Sequence, residues 1–165
     1  MKSGLLLLLG AVLALGCGVG SSRSEDSAAF QQLAASASAL VEQHQSDAAG
    51  EANAASCASE HGRYDEAMRP LLKKMRAMST GMDSTMMGIG RSAEADLAGT
   101  CDSMASELDR HAASSCTSSD MAENLAETAR HCDRMKTWLQ TEQERARSLA
   151  QETAGGCGRC PGCSR

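Results

Sequence analysis

Apolar residues recur along this chain in steps of three and four, the spacing that gathers side chains on one face of an α-helix. Phe30, Leu33, Ala37, Leu40 and His44 make the first such seam. The polar stretch SDAAG at 46–50 interrupts it, and a longer seam follows: Ala54, Cys57, His61, Tyr64, Met68, Leu71, Met75, Met78, Met82, Thr85 and Ile89. Its alternating threes and fours run for five heptads and mark one buried stripe. Gly62 and Pro70 lie inside it, which predicts a kink near residues 66–70. Gly88-Ile89-Gly90 supplies the stop. The third seam is Leu97, Cys101, Met104, Leu108 and His111. A polar turn at 114–119 follows, and Asp120 with Glu123 suits the start of a fourth helix. That helix carries Met121, Leu125, Thr128, Cys132, Met135, Leu139, Ala146 and Leu149, with Glu142 as the polar exception. Short turns make successive helices antiparallel neighbours, so the expected fold is all-α, an up-down four-helix bundle over residues 28–153. A longer coiled-coil-like array is the competing arrangement.

Composition sharpens this without changing it. Alanine is abundant, β-branched residues are scarce, and Phe30, Tyr64 and Trp138 are the only aromatics. Helix is favoured almost everywhere, and the core must be built from small and thioether side chains. Acidic residues outnumber basic ones, 21 to 16, and no compact basic patch interrupts the balance. Nucleic acid is therefore not an expected partner.

The first twenty residues, MKSGLLLLLGAVLALGCGVG, set one lysine before an apolar run from Leu5 to Leu15. That run is shorter than the roughly 20 residues of a permanent membrane span and reads as a secretory signal over 1–16. Leu13-Ala14-Leu15-Gly16-Cys17 resembles the lipobox of bacterial lipoproteins. The resemblance covers this segment alone. It implies cleavage before Cys17, a lipid on that cysteine, and a location on the cell envelope. With Gly18 where aspartate would favour the inner membrane, it points to the outer membrane facing the periplasm. Cleavage without lipidation would instead release a soluble exported protein. Residues 17–27, rich in Gly and Ser, are expected to be a flexible tether, and 154–165 a flexible cysteine-rich tail.

Beyond Cys17, seven cysteines remain, in a compartment where thiols oxidise. Cys101 and Cys132 are nearly symmetric about the turn at Cys116-Thr117, which predicts a disulfide across the third and fourth helices. Cys57 and Cys116 are then the second pair, a turn or two out of level by the same counting. Cys157, Cys160 and Cys163 repeat a C-x-x-C spacing that resembles the opening of a ferredoxin cluster motif, without a fourth cysteine. Three thiolates could hold zinc or Cu(I) with an outside ligand, but one disulfide and one odd thiol is the simpler expectation.

Methionines 68, 75, 78 and 82 fill the second seam, as core side chains do. The histidines are less readily explained as packing. His44, His61 and His111 fall on three seams, and His131 flanks the fourth. Counting rise from the turns puts His44 and His111 at one level, near Cys57, and His61 and His131 at another, close to Cys101 and Cys132. With Met68 and Met75 these side chains could form a soft site for copper. The arrangement loosely resembles bacterial copper storage proteins, although their C-x-x-x-C pairs are missing. Glu107 with His111, and Glu127 with His131, are four apart, not the three of a di-iron Glu-x-x-His, and read as surface or flanking pairs. No C-x-x-C-H appears, and no catalytic constellation is recognisable. Disulfides would take the sulfur a copper site needs, so the expected function is a non-enzymatic, lipid-anchored envelope module with a structural role or contacts to other envelope proteins, and no cofactor. The alternative is a copper-binding lipoprotein.

Overall fold

The computed structural model describes residues 18–51, 53–88 and 96–155 of the 165-residue chain. Four helices follow in order: α1 (Gly18–Ala48), α2 (Ala54–Gly88), α3 (Leu97–Ser114) and α4 (Met121–Gly155). Each packs on its neighbours in the chain, and α4 returns along α1, so the four enclose one core. This is the all-α bundle that the seams predict. Among the described residues, no helix is long and apolar enough to cross a membrane.

The core is built from Phe30, Ala34 and Val41 of α1, Met68, Leu72 and Met75 of α2, Met104 and Leu108 of α3, and Met135 and Leu139 of α4. Each fully buried large side chain contributes about 1.5–3 kcal/mol. In α1 the buried row is centred on Ala34 and Val41, while Leu33 and Leu40 pack half-buried on its flanks. Small side chains at the centre let neighbouring helices approach, and the longer leucines fill the sides. α2 runs unbroken through Pro70, which sits on the exposed face. In α4 the buried row begins at Asn124, not at Met121 or Leu125, which are half-buried. Its amide accepts from Ser118 N–H (3.1 Å) and donates to Ser118 C=O (2.8 Å), so the turn between α3 and α4 is tied down by a satisfied buried side chain.

Caps close the helix starts. Asn53 Oδ1 accepts from Ala55 and Ser56 N–H, both at 3.0 Å, and Asp96 Oδ1 accepts from Gly99 N–H at 2.6 Å. Asp120 accepts from Ala122 N–H (2.8 Å), as expected, but Glu123 takes the Ser118 hydroxyl (2.7 Å) instead of reaching back to Asp120.

The expected tether is corrected at one end. α1 begins at Gly18, and Ser27 is fully buried, donating its hydroxyl to the Ala146 carbonyl. α4 extends to Gly155, beyond the expected boundary at 153, and passes Ser27 at Ala146. Gly and Ser content alone does not register such a neighbour. The segment 1–16, Cys17, and Cys157, Cys160 and Cys163 lie outside the described residues.

Candidate metal centre

Both short turns, between α1 and α2 and between α3 and α4, lie at one end of the bundle. His44 and His111 stand in the last turns of their helices, and His61 and His131 near the starts of theirs. All four imidazoles therefore meet. His44 Nε2 and His111 Nε2 are 3.2 Å apart. The His61 ring lies 4.6 Å from both the His44 and the His111 rings, and His131 stacks on His111 at 3.8 Å. One nitrogen from each of His44, His61 and His111 lies within 4.8 Å of the others, a grouping that could hold a metal ion. The two levels expected from the sequence are one cluster.

Oxygen partners fix three of the ring tautomers. A carboxylate or carbonyl oxygen only accepts, so the nitrogen facing it carries the proton. His44 Nδ1 donates to Glu60 (2.9 Å), His61 Nδ1 to the Cys57 carbonyl (2.8 Å), and His131 Nδ1 to Glu107 (3.1 Å). The remaining nitrogen of His131 faces the Tyr64 hydroxyl at 3.1 Å, so both its nitrogens are engaged. Tyr64 also stacks on His44 at 4.0 Å. His111 is the exception. Its Nδ1 is buried without a hydrogen-bond partner, 3.9 Å from Glu127. If Nδ1 takes the proton to face that carboxylate, His111 Nε2 turns a lone pair toward the lone pair of His44 Nε2. If Nε2 takes it, a buried lone pair faces a carboxylate. A cation between the two Nε2 atoms removes this conflict.

Charge follows the same pattern. Burial pushes His61 down, only partly countered by its bond to Cys57. Burial and the neighbouring histidines bring His111 down to about 2. Burial takes His131 to about 4 despite the Glu107 bond. These three rings are neutral at neutral pH, the state that ligates metals. Burial alone would raise Glu107, but bonds from Arg110, Arg134 and His131 outweigh it and hold the carboxyl at about 2.

The cysteines correct one expectation and meet the other. Cys57 and Cys116 are bonded, Cα to Cα 5.7 Å, and staple the first turn of α2 to the turn between α3 and α4. Cys116 sits at φ 57°, in the left-handed region that costs a non-glycine residue on the order of 1 kcal/mol. Its sulfur is 3.3 Å from His61 Nδ1. Cys101 and Cys132 are buried free thiols, so the bridge expected between them does not form. The reason is register. Arg145 of α4 bonds Thr100 of α3 (3.0 Å), which sets Cys101 level with the 142–145 segment. Cys132 lies farther toward the turn, its sulfur 3.8 Å from the Val41 carbonyl on α1.

Met68 and Met75 are fully buried and belong to the apolar core cluster. Sequence reading missed four contributors, Glu60, Tyr64, Glu107 and Thr128, the last 3.3 Å from His61 Nε2. The run Cys57-x-x-Glu60-His61, on one face of α2, is the signal that could have found Glu60. No protein-family model, curated protein or solved structure matches this chain.

Proposed function

We propose that this protein is a non-enzymatic metal-binding bundle of the cell envelope, holding one divalent ion of the zinc–copper class between His44, His61 and His111. The observation that carries this reading is the approach of His44 Nε2 and His111 Nε2 to 3.2 Å inside the core. Nitrogens around a tetrahedral zinc, with bonds of 2.0–2.1 Å, stand about 3.3 Å apart. One edge of the site is therefore at ligand spacing, and the other edges are no longer than 4.8 Å. Glu60 and the Cys57 carbonyl, behind His44 and His61, supply the outer partners that orient metal-binding imidazoles. A cavity of about 110 Å³ between α1 and α2 is lined in part by His44 and Glu60.

Imidazole donors suit zinc and Cu(II) better than Cu(I), and Met68 and Met75 sit in the apolar core, so the soft copper site of the sequence reading gives way to a nitrogen site. A lipid on Cys17, an outer-membrane location and contacts with other envelope proteins belong to the same proposal, supported by the lipobox resemblance.

Native mass spectrometry of the exported, metal-loaded protein tests it. One divalent ion per chain is expected, with affinity falling at least a hundredfold in His111→Gln. Wild-type protein that stays metal-free in excess zinc and copper, while fully folded, would leave the cluster as a polar core that fastens four helices.

A further inference from the structure

We infer that Cys57, Cys116 and His61 form a second, sulfur-rich site for Zn²⁺ or a similar thiophilic cation once their disulfide is reduced, and that it draws His61 away from the first. The competition rests on the histidine-site reading above; the sulfur site does not.

His61 belongs to both ligand groupings in the described residues, one with His44 and His111, the other with Cys57 and Cys116. Around a tetrahedral zinc, a sulfur at about 2.3 Å and a nitrogen at about 2.0 Å stand roughly 3.5 Å apart. Cys116 Sγ and Cys57 Sγ lie 3.3 and 3.8 Å from His61 Nδ1, on either side of that value. Freed of their bond, the two sulfurs need only separate to about 3.8 Å, the sulfur–sulfur edge of the same tetrahedron. Cys57 and His61 are four apart on α2, so one helix face presents both. Cys116 meets them from the turn between α3 and α4, where its backbone is left-handed. Glu60 Oε2 stands 3.5 Å from the same His61 nitrogen, in place to complete or orient the set.

His61 has an oxygen beside each ring nitrogen, so either tautomer can be accommodated. In the bridged form Nδ1–H donates to the Cys57 carbonyl. To ligate through Nδ1 the ring must carry its proton on Nε2, and Thr128 Oγ1, 3.3 Å away, can accept from it there. The redox step needs an external dithiol. One of its thiolates attacks Cys116 Sγ, the less buried sulfur, and expels the Cys57 thiolate. The second dithiol sulfur then closes on the first, forming the dithiol's own disulfide and releasing Cys116. Two electrons pass to the protein pair, and the two protons from the dithiol end on Cys57 and Cys116. Zn²⁺ then displaces those protons to solvent as it binds the thiolates.

The test uses the full chain carrying Cys17→Ser, Cys101→Ala, Cys132→Ala, Cys157→Ser, Cys160→Ser and Cys163→Ser, so that Cys57 and Cys116 alone remain. Co²⁺ is titrated before and after treatment with a dithiol that is then removed without air. Thiolate-to-cobalt charge-transfer bands are expected only after reduction, with zinc binding at least tenfold tighter than before and tenfold weaker again in His61→Ala. Reduced protein that binds cobalt without those bands overturns the sulfur site and leaves the histidine site standing. Bands after reduction, with no cobalt bound before it, support the sulfur site and overturn the histidine site with its competition. Should the multiple variant fail to fold, alkylation mapping of reduced wild-type chain decides. Zinc should protect Cys57 and Cys116, and equal labelling with and without zinc overturns the inference.

Discussion

Glu107 Oε1 accepts a hydrogen bond from His131 Nδ1 on the neighbouring helix, 3.1 Å away, and Arg110 and Arg134 close on the same carboxylate at 2.6 Å each. The histidine one turn along its own helix, His111, looks instead toward Glu127 of α4. Each carboxylate thus faces the other helix's imidazole, and Arg134 on Glu107 with Arg110 on Glu127 cross-links α3 and α4 by charge as well as by packing. Glu107→Gln keeps the shape and removes the charge. Since hydrogen bonds to charged groups contribute about 1.5–3 kcal/mol, a loss of about 2–3 kcal/mol is expected in urea unfolding, and a loss below 0.5 kcal/mol would mean the crossed pairing carries no weight.

The same carboxylate sets an acid limit. Glu107 titrates near 2 in the fold, against its ordinary 4.5. As pH falls the unfolded chain takes the proton first, so this contribution is whole above 4.5 and drains away toward 2. His131, depressed from 6.5 to about 4, works in the same direction: burial keeps it neutral, and its share fades as pH falls below 6.5. Metal-free protein should show a urea midpoint that falls from about pH 6.5 downward, and Glu107→Gln should make the fall between 4.5 and 2 shallower, leaving the share of His111. A midpoint unchanged down to pH 3 would contradict both assignments.

The Cys57–Cys116 bond closes a long loop, its ends separated by 59 in sequence. Loop-closure entropy makes such a bridge worth about 4 kcal/mol. Replacing both cysteines by serine should lower unfolding free energy by that order while circular dichroism still reports four helices. A double variant as stable as wild type would show that the unfolded chain gains nothing from the cut.

Met75 separates core from ligand. It is fully buried in the apolar cluster, and truncating such a residue to alanine costs about 2–5 kcal/mol. Met75→Ala should therefore lose stability in that range yet bind zinc with affinity within twofold of wild type. A tenfold loss of affinity in folded protein would return methionine to the metal site.

The two free thiols should be inert. Burial, and then Glu142, pushes Cys101 up to about 12, and burial raises Cys132 to about 11. Little thiolate exists at pH 8, so alkylation of both should be slow in the native protein and prompt in urea. Rapid native labelling of Cys132 would place its sulfur nearer to solvent than the packing against Val41 allows.

The helices, their seams and the inward histidines were legible because a period of three and four reports which face is buried, whatever lies opposite. Register was not legible. Symmetry about the 114–119 turn put Cys101 across from Cys132, but Asn124 folds back onto Ser118 and the Arg145–Thr100 contact sets a different level. The same shift merged the two expected histidine levels into one. Glu60 and Glu107 were overlooked or read as surface because charge normally marks solvent, and only a partner on another helix makes burial affordable.

The two chain termini of the bundle lie opposite the imidazole cage. From Gly18 to His44 the backbone is one helix, whose rise of 1.5 Å per residue covers about 40 Å. Were Cys17 to carry the proposed lipid, the buried cage would stand at the far end of a mast of that height, clear of the headgroups.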